Sequence, residues 1–173
     1  LEVRPAQAGA RMIDDSYNAN PASLRAGLRA LSSIPGRHWL VLGEMRELGP
    51  ESARLHAEMG EFARQTGVAR LLAVGDDAHH AVEAFGKGAT WFASVDDMIA
   101  ALRAELGPDV TVLVKGSRSN RLERVSAALA GAAAAGALCV IRVAVSGASG
   151  GNASWRRLAA ITCANTGPAT LPP

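Results

Sequence analysis

A chain of 173 residues with 49% hydrophobic and 20% charged residues is long enough for one domain with a real core. A formal net charge of +2 and an aromatic content of 4% argue against a nucleic-acid surface, which needs a basic bias and stacking platforms. Two cysteines, Cys139 and Cys163, make neither a disulfide framework nor a metal cluster. No basic segment followed by an apolar run opens the chain, so a reducing cytoplasm is the expected setting.

Leu1–Arg4 and Arg11–Asp14 read as short strands joined through Pro5 and Gly9. The stretch Ile13-Asp14-Asp15-Ser16-Tyr17-Asn18-Ala19-Asn20-Pro21 then closes a strand and opens a helix. Asn20 suits the N-cap and Pro21 the first helical position, where its missing N–H costs nothing. Leu24, Leu28 and Leu31 repeat at helical spacing. After a turn at Ser33–Gly36, His38–Gly43 is a continuous apolar run, as expected of a strand buried on both faces. It opens into Gly43-Glu44-Met45-Arg46-Glu47-Leu48-Gly49. A helix over Pro50–Gln65 follows, with Leu55, Met59 and Phe62 on one stripe and Gly67 as its stop.

The pattern repeats. Arg70–Val74 is a strand, Gly75-Asp76-Asp77 a polar loop, and a helix runs to Phe85. Thr90–Ala93 is a strand, and Ser94 with Asp97 reads as a capping box for a helix carrying Met98, Leu102 and Leu106. Asp109–Val114 is the last clear strand. It runs into Lys115-Gly116-Ser117-Arg118-Ser119 and a helix expected from Asn120. Strands alternating with helices predict an α/β fold: a Rossmann-like, mostly parallel sheet with helices on both faces, over residues 1–130.

Beyond that the composition changes. All 16 acidic residues lie between Glu2 and Glu123, and residues 131–173 carry only Arg142, Arg156 and Arg157 as charges. Val140–Val145 has the pattern of one strand, and the rest is rich in Gly, Ser, Thr, Ala and Pro without a period, as in disordered segments. Val125–Ile141 is uncharged, but its Ala and Gly content and the following Arg142 argue against a membrane span.

Parallel strands place their carboxyl ends on one edge, so the loops Asp14–Asn20, Gly43–Gly49, Gly75–Asp77 and Lys115–Ser119 should converge there. Asp15 suits two vicinal hydroxyls, as a carboxylate does on a ribose, or serves only a capped turn. Glu44 and Glu47 suit a cation or an amine, or are simply solvated. Lys115, Ser117 and Arg118 offer donors on a glycine-bearing loop before a helix, an anion site unless Lys115 is merely solvated. His56 reads as a surface or packing residue. His79 and His80, adjacent on a helix, should splay apart and make a poor metal site. Trp39 and Trp91 read as core. There is no G-x-x-x-x-G-K-S/T, no G-x-G-x-x-G after the first strand and no nucleophile elbow, so a complete nucleoside triphosphate site is not expected.

Three of these stretches, Ile13–Pro21, Gly43–Gly49 and Val112–Arg118, occur in order, each at a strand's carboxyl end. Together they resemble the C-terminal domain of the Mur ligases, most of all the members that add D-Ala-D-Ala to UDP-N-acetylmuramoyl-tripeptide. The resemblance covers Leu1 to Leu129. It implies an ATP-dependent carboxylate–amine ligase of bacterial cell-wall synthesis. There a P-loop domain with Mg²⁺ phosphorylates the tripeptide carboxylate, the amine of D-Ala-D-Ala attacks, and the C-terminal domain closes over the nucleotide. By position, Asp15 resembles the residue that holds the ATP ribose, and Tyr17, Asn18 and Asn20 line the same cleft. Lys115, Ser117 and Arg118, with Glu44 and Glu47, resemble the side facing the incoming dipeptide. The N-terminal and central domains of such a ligase are not represented, so the chain alone is expected to be inactive. Residues 131–173 depart from the family pattern and are expected to be an out-of-frame or misassembled extension. The competing readings are a folylpolyglutamate or cyanophycin synthetase-like ligase, a non-catalytic Rossmann-type nucleotide or anion module, and a short membrane-anchored protein.

Overall fold

Alternation along the strands sorts the core into two layers. A computed structural model of the chain describes residues 2–131. Its strands are β1 (Val3–Pro5), β2 (Arg11–Asp15), β3 (Arg37–Gly43), β4 (Val68–Val74), β5 (Ala89–Phe92) and β6 (Val110–Lys115). Its helices are α1 (Pro21–Ser32), α2 (Ser52–Gln65), α3 (His79–Phe85), α4 (Val95–Glu105) and α5 (Glu123–Leu129). The six strands form one sheet in the order β1-β2-β6-β3-β4-β5, parallel except for β1, which runs antiparallel to β2. In β3, Leu40 and Leu42 face one layer while Trp39 and Val41 face the other; in β6, Leu113 opposes Val112 and Val114. The first layer is filled by α1, α2 and α3 through Leu24, Leu28, Leu31, Met59, Ala63, Ala81 and Phe85. The second is filled by α4 and α5 through Met98, Leu102, Val125 and Leu129. The expected α/β architecture with both faces covered is what forms.

Local chemistry accounts for the helix starts. The Asn20 side chain accepts from the Ser23 N–H at 2.8 Å, and the Asn20 N–H donates to the Ser23 hydroxyl at 3.2 Å, a complete capping box. At α4 only half of the expected box forms. The Ser94 hydroxyl oxygen accepts from the Asp97 N–H at 3.1 Å, but the Asp97 carboxylate takes the Ser94 hydroxyl rather than its backbone N–H. The helix expected from Asn120 begins at Glu123. A 3-10 turn at Arg118–Asn120 and a left-handed Arg121 (φ 54°) intervene.

Helix α2 is rotated from the stripe expected of it. His56, Met59, Gly60 and Ala63 are buried, while Leu55 and Phe62 are half-buried. The cause is a close approach to α3: a side-chain carbon on Gly60 would collide with the Ala81 carbonyl. That contact turns Phe62 toward α1, where the Arg25 guanidinium lies 4.6 Å from its ring centroid. No helix among the described residues is long and apolar enough to cross a membrane. The expected strand at Val140–Val145, the irregular tail, and residues 132–141 of the Val125–Ile141 segment lie outside the described residues.

Gly60→Ala tests the α2–α3 contact. Alanine is the better helix former by about 1 kcal/mol, yet overpacking should win and lower the unfolding free energy by about 1–3 kcal/mol. A higher urea midpoint for the variant would show that the helices have room to spare.

Candidate functional site

The order of the strands makes a crevice. The chain skips a place between β2 and β3, builds β4 and β5 outward, then returns to insert β6 into the gap. Helices α1 and α2, which follow β2 and β3, lie in one layer, whereas α5, which follows β6, lies in the other. A change of side between neighbouring strands leaves an opening beyond their carboxyl ends, where open α/β sheets bind ligands.

The β2–α1 loop forms one wall. The Asp14 carboxylate accepts from the Ser16 N–H at 3.1 Å, a local turn bond that fixes the bend. Asp15 lies opposite Lys115 in the β2–β6 register, and the two side chains pair at 2.8 Å between Nζ and Oδ2. Lys115 Nζ also donates to the Asn18 carbonyl at 2.5 Å. The lysine side chain is 1% exposed and Asp15 33% exposed. A buried ammonium is costly unless paired, which explains its two oxygen partners. Its stem lies against α1 at Gly27, where a side-chain carbon would come within 4.0 Å of Lys115 Cδ. Tyr17 is 73% exposed, with the Arg118 guanidinium 5.7 Å from its ring centroid. Asn18 is exposed, and the Asn20 side chain is committed to the cap of α1.

The β3–α2 loop is pinned by bonds to its backbone. The Met45 N–H donates to His56 Nε2 at 2.9 Å, and His56 Nδ1 donates to the Ser52 carbonyl at 2.8 Å. This geometry sets the tautomer with its proton on Nδ1. Burial pushes the His56 imidazole below its ordinary value. The Arg46 N–H donates to the Ser117 hydroxyl at 2.9 Å, and Arg46 Nε to the Ser119 hydroxyl at 3.2 Å. Glu44 is 15% exposed and 3.6 Å from Arg46; Glu47 is exposed and held at a φ of 63°, a region that side chains rarely adopt. Beneath these side chains the loops touch directly. A side-chain carbon on Gly116 would lie 3.0 Å from Gly43 Cα, and one on Gly75 would lie 2.6 Å from Glu44 Cβ.

The structure thus brings Asp15, Lys115, Ser117 and Glu44 to one edge, with Tyr17, Asn18, Glu47 and Arg118 around them. Lys115 is not the solvated lysine of the alternative reading; its buried ammonium is held by Asp15 and the Asn18 carbonyl. Nor do the free amides of a helix N-terminus lie at Lys115–Ser119, since α5 starts only at Glu123. His56, Arg46 and Ser119 are structural members of the site that residue-by-residue reading missed. The signal for His56 was its spacing to Met59, Gly60 and Ala63. Trp91 is not core: it is 41% exposed, and its indole N–H donates to the Gly75 carbonyl at 2.9 Å. His79 and His80 do not splay apart; their ring centroids are 3.9 Å apart, with Glu83 close by. They sit at the start of α3, where the helix dipole opposes a bound cation.

His56 makes stability depend on pH. Its folded-state pKa is lowered, so between the ordinary value of 6.5 and that lower value the unfolded chain takes up a proton that the folded chain refuses. Stability should be full above pH 6.5 and fall as the pH drops through this window. Urea unfolding at pH 7.5 and 5.5 should show this loss in the native chain and a smaller one in His56→Gln. Equal losses would remove His56 as the cause.

Comparison with known proteins matches residues 1–118 to the family described as Mur ligase, glutamate ligase domain. A UDP-N-acetylmuramoyl-tripeptide–D-alanyl-D-alanine ligase of Escherichia coli is 42% identical over 120 residues, covering 68% of this chain and 26% of the relative. The Mycobacterium tuberculosis ligase of that name is 40% identical over 154 residues, covering 75% of this chain and 30% of the relative. Among solved structures, the MurF ligase of Thermotoga maritima in complex with ADP superposes with a TM-score of 0.65 at 28% identity, over 73% of this chain and 29% of that one. The chain therefore spans under a third of the length of these relatives. By its matched residues, the chain belongs to the Mur ligases, through their glutamate ligase domain.

Proposed function

We propose that this domain serves an ATP-dependent ligase of bacterial peptidoglycan synthesis that joins D-Ala-D-Ala to UDP-N-acetylmuramoyl-tripeptide. The observation that carries the reading is the meeting of the Asp15, Glu44 and Lys115 loops at the end of β6. The names of the relatives supply the reaction, and the ADP in complex with the Thermotoga ligase supplies the nucleotide. The bacterial cytoplasm is the corresponding setting.

On this reading Asp15 takes the ribose hydroxyls of ATP, while Tyr17, Asn18 and Asn20 shape the same wall. Asp15 suits that group: it is a partly exposed carboxylate two residues before the exposed Tyr17. Ser117 and Arg118 face the free carboxylate of the incoming dipeptide, supported by Lys115 beneath them, and Glu44 and Glu47 face its amine. Mg²⁺ is assigned to no residue here, because the described residues gather no carboxylate cluster at the crevice of the kind that ion takes. The domain's contribution is positioning and charge stabilisation, with phosphoryl chemistry left to the partner domains of the ligase.

Titration calorimetry tests this assignment. The chain should bind ADP, and Asp15→Ala should weaken that binding about tenfold, the worth of hydrogen bonds to a charged group. It should bind D-Ala-D-Ala, with loss in Arg118→Ala. Nucleotide binding without dipeptide binding would favour a Rossmann-type module instead. With ATP, tripeptide precursor and D-Ala-D-Ala supplied, the chain alone should release no phosphate; steady release would overturn the division of labour.

A further inference from the structure

We infer that Lys115 is a positioning residue for the nucleotide side of the crevice, acting through Asp15 and the Asn18 carbonyl rather than by touching an anion itself. The inference rests on the reading of Asp15 as the ribose carboxylate. Lys115 is the last residue of β6, on the same side of the strand as Leu113 and directly opposite Asp15. Its ammonium reaches from β6 to two oxygens of the neighbouring loop, Asp15 Oδ2 and Asn18 O, at 2.8 and 2.5 Å. One ammonium thus fixes both the carboxylate's rotation and the path of the backbone three residues on.

Stability alone does not account for this arrangement. Buried ion pairs are often replaced by apolar side chains of similar size without loss, because desolvation offsets their attraction. An apolar residue under α1 would fill the same space beside Gly27 and Leu113. What the ion pair adds is orientation. It engages Oδ2 and leaves Asp15 Oδ1 without a partner among the described residues, on a side chain one-third exposed. Two vicinal hydroxyls need an acceptor held in one attitude, and an unpaired carboxylate at a strand end would rotate. The same lysine ties the nucleotide loop to the segment carrying Ser117, whose hydroxyl accepts from Arg46 N–H at 2.9 Å.

The experiment compares the binding of ADP with that of 2′,3′-dideoxy-ADP to the full chain by calorimetry. The ratio of the two affinities isolates the ribose hydroxyls, and a merely structural lysine would leave it unchanged. The native chain should prefer ADP on the order of tenfold or more. Asp15→Asn should reduce the preference to near unity. Lys115→Met should do the same with a melting temperature close to native, and Lys115→Arg should recover part of it. If Lys115→Met fails to fold, Lys115→Gln, which keeps amide donors but loses the positive charge and some of the reach, is measured instead and should show a reduced ratio. A native ratio in the folded Lys115→Met or Lys115→Gln chain, with the ratio lost in Asp15→Asn, would overturn the role of Lys115 and leave the ribose assignment standing. An unchanged ratio in Asp15→Asn, or no preference in the native chain, would overturn the ribose assignment and this inference with it.

Discussion

Strand β6 is hydrogen-bonded along both edges and covered on both faces, yet it ends in a lysine. That constraint shapes the crevice. Val110, Val112, Leu113 and Val114 are apolar and gain by burial, whereas the Lys115 ammonium must find oxygens within reach of a strand end. The neighbouring strand supplies Asp15 at the matching register, and the loop beyond it supplies Asn18. The route of the β2–α1 connection is therefore tied to a charge on another strand, 100 residues away along the chain.

Much of the sheet was legible because buried parallel strands announce themselves as apolar runs, as in His38–Gly43 and Asp109–Val114. Asn20 and Ser94 marked helix starts through side chains that cap locally. What escaped depends on contacts distant in sequence. The face of α2 follows from Gly60 meeting Ala81, a contact that no local periodicity encodes. The late start of α5 follows from Arg121 adopting a left-handed conformation. Trp91 sits on β5 at the sheet's edge, where half of each strand faces water. For the site, the loops and their convergence could be read from strand order alone. The direction of Lys115 could not, since a lysine after an apolar run is equally consistent with a solvated tip.

The crevice divides into parts held in different ways. Its inner layer is fixed by neutral and charged groups acting on backbone: His56 on Met45, Ser117 on Arg46, Lys115 on Asn18. Its outer layer, Tyr17, Asn18, Arg46, Glu47 and Arg118, is solvent-facing and joined by looser contacts, such as the guanidinium over the tyrosine ring. Buried polar groups need partners and so impose geometry; exposed ones have water as an alternative and impose little.

The glycines beneath the loops carry this division into the protein's capacity to change. Gly43, Gly75 and Gly116 stand where neighbouring segments come too close for any side chain. A methyl group would press on the Asn120 side chain from Gly43, on Glu44 Cβ from Gly75 and on the Leu122 side chain from Gly116, so each substitution there would force a neighbour to shift. The rim above them is under no such restriction. New ligand preferences can accumulate among the outward residues while the floor stays constant, which makes the crevice conservative in shape and permissive in chemistry.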